Sequence, residues 1–202
     1  MKRTHTCGDL RASDAGATVT LQGWVNRRRD LGGLVFLDLR DRYGLTQVVV
    51  EPDDADAFAA ADGVRNEYVV EVSGLVRERP ESQRNDRLAT GAVEVVAGAL
   101  AVVAPARTPP FVIDAAAGAG DVNEELRLKY RYLDLRRPGA LAPLLLRHRV
   151  TQAIWEYLSA RGFVQVETPL LTLSTPEGAR DYVVPARQKA GAFYALPQSP
   201  QL

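Results

Sequence analysis

The sequence predicts a β-barrel over roughly the first hundred residues, followed by a mixed region that opens on a helix. Short apolar or alternating runs with turn residues between them predict the barrel. A single helical insert between the third and fourth runs narrows its type. A change from period-two to helical patterning after Pro138 predicts the second part.

The runs are Val19–Asn26, Leu34–Asp41, Leu45–Glu51, Glu67–Arg79 and Ala92–Val103. Gly32-Gly33, Tyr43-Gly44 and the polar stretch from Glu81 to Gly91 break them. The insert runs from Asp53 to Val64. Asp53 and Asp54 stand at its start, where acidic side chains cap a helix and complement its dipole. Strands in that order, with a helix after the third, give an all-β OB-fold barrel.

Pro105 to Gly120 is rich in Ala, Gly and Pro and reads as a linker. Glu124 to Pro138 is a dense basic and aromatic hinge. A helix is predicted from about Leu141 to Arg161, because Val150, Ala153, Ile154, Tyr157 and Leu158 share one face. Gly162 supplies its left-handed cap. Phe163 to Glu167 reads as a short strand ended by Pro169, and Thr175 to Gly178 as a turn. The division is therefore 1–105 barrel, 106–138 linker and hinge, and 139–202 the start of a second domain.

The apolar and charged fractions, 46% and 25%, are those of an ordinary globular protein. No run is long enough to span a bilayer, and the N-terminus has no signal-peptide pattern, so a cytoplasmic protein without membrane attachment is expected. One cysteine, Cys7, excludes an internal disulfide and a thiolate zinc cluster. The net charge is zero, which argues against coating nucleic acid by bulk charge. Lysine occurs only at Lys2, Lys129 and Lys189, so arginine carries most of the positive charge. Arginine stacks on bases and grips phosphate through two parallel bonds. A GC-rich genome would also raise arginine, but it does not explain where the arginines cluster.

On the second run, Val35, Leu37 and Leu39 fall on one face and Phe36, Asp38 and Arg40 on the other. An aromatic ring beside charges is either covered by a loop or partner, or is a platform for an unpaired base. Such a stack is worth about 1–3 kcal/mol. Arg77 and Arg79 share a face with Glu71 and Ser73. Glu94 alternates with Val93 and Val95. Gln47 offers both a donor and an acceptor to a base edge, and Arg27, Arg28 and Arg29 end the first run, where they can hold phosphates. Singly these are ordinary surface residues; together they compose a face for single-stranded RNA.

The run Gly23-Trp24-Val25-Asn26-Arg27-Arg28-Arg29-Asp30-Leu31-Gly32-Gly33, followed by Phe36 to Asp41, resembles the anticodon-binding domain of bacterial-type aspartyl-tRNA synthetases. The resemblance continues through Arg127 to Pro138, Gly162-Phe163, Glu167-Thr168-Pro169, Thr175 to Tyr182 and Tyr194 to Leu202. It covers essentially the whole chain, most weakly between Ala106 and Val122. It implies that the second part is the beginning of an α+β class II catalytic domain, its antiparallel sheet incomplete.

The resemblance also implies roles. Phe36 would stack on an anticodon base, Gln47 would read the central uracil, and Glu94 would recognise the first base, a guanine or its modified form. Arg29, Arg77 and Arg79 would support bases and backbone. Leu31 stands where relaxed enzymes tend to carry histidine, and so resembles those restricted to tRNA(Asp). The helix, strand and Pro169 correspond to motif 1, the homodimer interface. Glu177 would meet the α-ammonium of aspartate in a closing loop, and Ser199 and Gln201 would line the aspartate pocket. The implied partners are tRNA(Asp), L-aspartate and ATP, with Mg2+. The residues that bind ATP and the metal lie in later motifs, so no catalytic or metal-ligating residue is assigned here. The 202 residues alone are expected to give no aspartate-dependent ATP–pyrophosphate exchange. A non-catalytic anticodon-binding module derived from such an enzyme is the alternative.

Overall fold

In the computed structural model, residues 2–113, 122–175 and 180–201 are described. They divide into two units, Met1–Ala142 and Pro143–Leu202.

The first unit is built on five strands: β1 (Thr18–Leu31), β2 (Leu34–Arg40), β3 (Leu45–Val50), β4 (Val69–Glu78) and β5 (Val93–Ala104). They close in the order β1-β2-β3-β5-β4, with β4 returning to β1. Every pairing is antiparallel except β3 with β5. Closure leaves no free sheet edge, and alternate residues fill the interior. Val19, Leu21 and Val25 meet Leu37, Leu39, Val48, Val50, Val70, Val72 and Val95 there, all at most 1% exposed. The period-two reading of β2 holds: Val35, Leu37 and Leu39 are buried and Phe36, Asp38 and Arg40 face outward. β1 runs further than the sequence reading placed it. It crosses a bulge between Val25 and Arg27 and ends in a hairpin whose two turn residues, Gly32 and Gly33, both have positive φ. That conformation matches the strand twist and is what glycine supplies.

Helix α1 (Ala55–Asp62) lies between β3 and β4 as the sequence predicts. The Asp54 carboxylate accepts from the Ala57 N–H at 3.0 Å, and Ala57 and Ala61 pack into the barrel core.

The segment read as a linker contributes a core of its own. Phe111 and Ile113 are buried with Leu133, against Val122, Leu126 and Tyr130. Two short helices, α2 (Glu124–Lys129) and α3 (Arg131–Asp134), carry Leu126 and Leu133, and Tyr130 stands between them. Composition misses this because its apolar members lie far apart in the chain. Asp134 is fully buried and holds three arginines: Arg127 at 3.1 Å, Arg131 at 2.8 Å and Arg137 at 3.4 Å. Burial acts to raise its pKa, but the Arg127 hydrogen bond and the charges of Arg127, Arg131 and Arg137 outweigh it and hold the carboxyl below its usual range. A second clamp ties the barrel to this segment. Arg136 stacks over Trp24, 4.4 Å from the ring centre, and its guanidinium reaches Glu67 at 3.5 Å. Both Glu67 carboxylate oxygens accept from Arg40 Nη2 at 2.9 Å, and Arg40 Nη1 donates to Asn26.

Helix α4 (Pro138–Ser159) begins earlier than predicted, since proline suits the first helical position. Its C-terminus is a Schellman cap. The Phe163 N–H donates to Leu158 and the Gly162 N–H to Ser159, with Gly162 at φ 82°. A Cβ at Gly162 would meet nothing within 4 Å, so only conformation opposes a side chain there. Gly162→Ala should cost about 1 kcal/mol in urea denaturation. An unchanged midpoint would mean that the cap adds nothing to stability.

The predicted strand Phe163–Glu167 does not form. A strand needs a neighbour for its backbone groups, and these residues have none among the described ones; Val164 is 83% exposed. The strands of this unit are β6 (Val183–Pro185) and β7 (Phe193–Ala195), an antiparallel pair, with Thr172 bridging to the buried Ala195.

Candidate nucleic-acid interface

The outward side chains of β1 to β5 converge because of register. Arg29 lies opposite Phe36, Asp38 opposite Gln47, and Arg77 opposite Glu94. The parallel β3–β5 pairing sets Val48 beside Val95, which brings Gln47 and Glu94 together. The result is one connected polar network.

Glu94 is its centre and is only 5% exposed. One carboxylate oxygen accepts from Arg77 Nε and Nη2 at 3.1 and 2.9 Å. The other accepts from Gln47 Nε2 at 2.9 Å, with Arg79 Nε at 3.9 Å. Arg77 also reaches Glu51 at 3.0 Å. Burial alone would lower the Arg77 pKa, but the bonds it donates to Glu94 and Glu51 raise it above the usual value, so the cation is held. At the other end, Arg29 donates to Asp38 at 2.7 Å and to the Gln47 oxygen at 3.3 Å. Its guanidinium lies 5.8 Å from the centre of the half-buried Phe36 ring.

The network is incomplete in one respect. The Nε atoms of Arg29 and Arg79 are buried without a hydrogen-bond partner. Buried donors are rarely left so, and each costs about 1–3 kcal/mol until an acceptor arrives. An aromatic platform, a buried carboxylate, an amide and two waiting cationic donors suit an unpaired base with its carbonyl oxygens and phosphate.

All six residues predicted for the anticodon face, Arg29, Phe36, Gln47, Arg77, Arg79 and Glu94, lie in or beside this network. Arg28 does not hold phosphate at this face; it turns to α1, donating to the Ala61 carbonyl at 3.1 Å and pairing with Asp30 and Asp62. Leu31 sits at the hairpin end, 58% exposed and outside the network. Pro169 is exposed and lies outside any helix or strand, and the Gln201 N–H donates to Ser199 Oγ at 3.2 Å. Glu177 lies outside the described residues. Sequence reasoning gave no role to Asp38 or Glu51. Period two from Gln47 leads to Glu51, and from Phe36 to Asp38, so the signal was present in both.

In the second unit, Asp181 accepts from Ser174 Oγ and from Gln198 Nε2. These bonds lower its pKa, so they are retained above the carboxylate range and lost as pH falls through it. Among the described residues no group of His, Cys, Asp and Glu is placed to hold a metal ion, and no helix is long and apolar enough to cross a membrane.

Residues 19–103 match the family model of OB-fold nucleic acid binding domains, and residues 123–202 that of class II tRNA synthetases of the D, K and N type. The second part of the chain is similar to the class II tRNA synthetases. Across the whole of this chain, the aspartate–tRNA(Asp/Asn) ligase of Moorella thermoacetica is 59% identical and that of Syntrophotalea carbinolica 56%. The chain spans 33% of each, about a third of the length of the relatives it matches. Among solved structures, asparaginyl-tRNA synthetase from Pyrococcus horikoshii with asparaginyl-adenylate superposes with a TM-score of 0.80 at 27% identity, over 100% of this chain and 44% of that one. A Leishmania major Friedlin protein described as a putative aspartyl-tRNA synthetase gives 0.81 at 23% identity, over 99% and 40%, which shows the shared fold.

Proposed function

We propose that the chain is the anticodon-recognising part, and the opening of the catalytic domain, of an ATP-dependent aspartate–tRNA ligase. The observation that carries this is the Glu94-centred network beside Phe36, on a chain 59% identical to an aspartate–tRNA(Asp/Asn) ligase. A base entering between Phe36 and the Arg29 guanidinium stacks on one and accepts from the other. Glu94 receives the paired N–H donors of guanine's Watson–Crick edge, and Gln47 reads uracil through its amide. Arg77 and Arg79 hold the carboxylate in place and neutralise phosphate.

Ser199, Gln201 and Glu177 then serve aspartate, and Pro169 with α4 a homodimer in the cytoplasm. The described residues hold no ligand set for Mg2+, so no step is assigned to the metal or to ATP. A second reading extends charging to tRNA(Asn). The relatives' names favour it, whereas Leu31 favours tRNA(Asp) alone. Equal affinity for the two anticodon stem-loops supports the wider range; a preference above about tenfold, or 1.4 kcal/mol, supports the narrower one.

The direct test is binding of the tRNA(Asp) anticodon stem-loop to Phe36→Ala. A loss of about 1–2 kcal/mol is expected, the lower part of the stacking range because the ring is already in contact with Arg29. Unchanged affinity removes the platform from the proposal.

A further inference from the structure

We infer that a cleft at the junction of α1, β1 and the segment after β5 is a second RNA site, one that takes phosphodiester groups of the tRNA away from its anticodon. It rests on the RNA-binding reading above. The cleft has a volume of about 610 Å³, and Arg28, Arg65 and Arg107 line it with Asn66 and Thr108. No acidic residue lines it.

The three cations differ in their state. Arg28 is fixed by Asp30, Asp62 and the Ala61 carbonyl and forms a wall. Arg65 and Arg107 are exposed and make no ion pair among the described residues. Most other arginines of this unit have a carboxylate: Arg3, Arg29, Arg40, Arg77, Arg79, Arg84, Arg127, Arg131, Arg136 and Arg137 are all paired. In a chain with no net charge, two uncompensated guanidinium groups facing one cleft mark a place for an anion. The guanidinium fork matches phosphate oxygens, and Asn66 and Thr108 add neutral donors.

Position points to the same RNA. Arg28 and Arg29 are consecutive on β1; Arg29 faces the base network and Arg28 the cleft. Successive strand residues project to opposite faces, so the cleft takes a part of the RNA other than the base seated at Arg29. A neighbouring cleft of about 500 Å³ shares the 106–109 segment, but its Arg136 is already paired with Glu67, so it adds no uncompensated cation of its own.

The test uses the 202-residue chain and the double variant Arg65→Ala/Arg107→Ala, with folding checked by circular dichroism. The slope of log K against log salt is measured for a full tRNA(Asp) transcript and for a short single strand carrying only the anticodon loop. The variant should lose about 1.5 from the slope with the transcript, at about 0.7–0.9 per phosphate, and nothing with the short strand. Arg65→Lys/Arg107→Lys should recover most of it because the charge returns. An unchanged transcript slope overturns the inference, as does an equal fall with both RNAs. Inorganic tripolyphosphate saturating the cleft while the transcript slope stays unchanged would assign it to a small polyphosphate instead. Phe36→Ala, run in parallel, reports on the anticodon reading separately, since it acts on both RNAs and leaves the salt slope alone.

Discussion

Asp134→Asn should destabilise the first unit by about 3 kcal/mol, the lower end for removing one member of a buried charge cluster. The figure sits at the lower end because Arg127 and Arg131 keep part of their surface in water, while the carboxylate has none. An amide of the same shape keeps the packing but leaves three guanidinium groups facing one another without an anion. The helices α2 and α3 should loosen first, and with them the burial of Phe111, Ile113 and Leu133. Urea denaturation followed by Trp24 fluorescence in a Trp155→Phe background reads this directly, since Arg136 stacks on the Trp24 ring. The pH dependence has a definite sign. The folded pKa of Asp134 lies below its ordinary 3.8, so the unfolded chain binds more protons and stability rises with pH through that window. The stabilisation is complete above the ordinary value and is lost as pH falls through the folded one. The gap between wild type and variant should close over that range. A gap that stays constant down to the acid limit would show that the cluster acts through shape and not charge.

Glu94→Gln should weaken binding of the tRNA(Asp) anticodon stem-loop by about 2–3 kcal/mol, on the order of a hundredfold, and should relax the choice of the first anticodon base. The amide is isosteric, but it offers one acceptor and one donor where the carboxylate offers two acceptors. Arg77 and Arg79 lose their shared anion at the same time. Stem-loops with each of the four bases at that position separate the two effects. A loss confined to the guanine-bearing loop assigns base recognition to Glu94. The same loss with all four bases would leave it only the role of holding Gln47 and the arginines.

The barrel was legible because its strands obey a strict alternation and its breaks are glycine-rich. Phe36, Gln47 and Glu94 could be placed on the outer face for the same reason. Their contacts could not. Gln47 and Glu94 are 47 residues apart and meet through the parallel β3–β5 pairing, which no local pattern announces. Asp38 was visible on the right face, but its grip on Arg29 needs the bulge at Asn26 and the register beyond it. The buried Phe111 and Ile113 were hidden inside a linker-like composition, because what buries them is Leu133 and its neighbours. The reverse error occurred at Phe163–Glu167. A β-like composition there predicts a strand, but pairing needs a neighbour as well as a propensity.

Phe36, Asp38 and Arg40 stand in one outward row on β2. Phe36 serves the base network, and Arg40 grips Glu67, which also holds Arg136 of the hinge segment. At about 3.3 Å per residue, the two lie roughly 13 Å apart along an inextensible backbone. The strand thus works as a ruler. It fixes the span between the base platform and the hinge anchor by covalent length, and a one-residue insertion within it would put both ends out of gauge together.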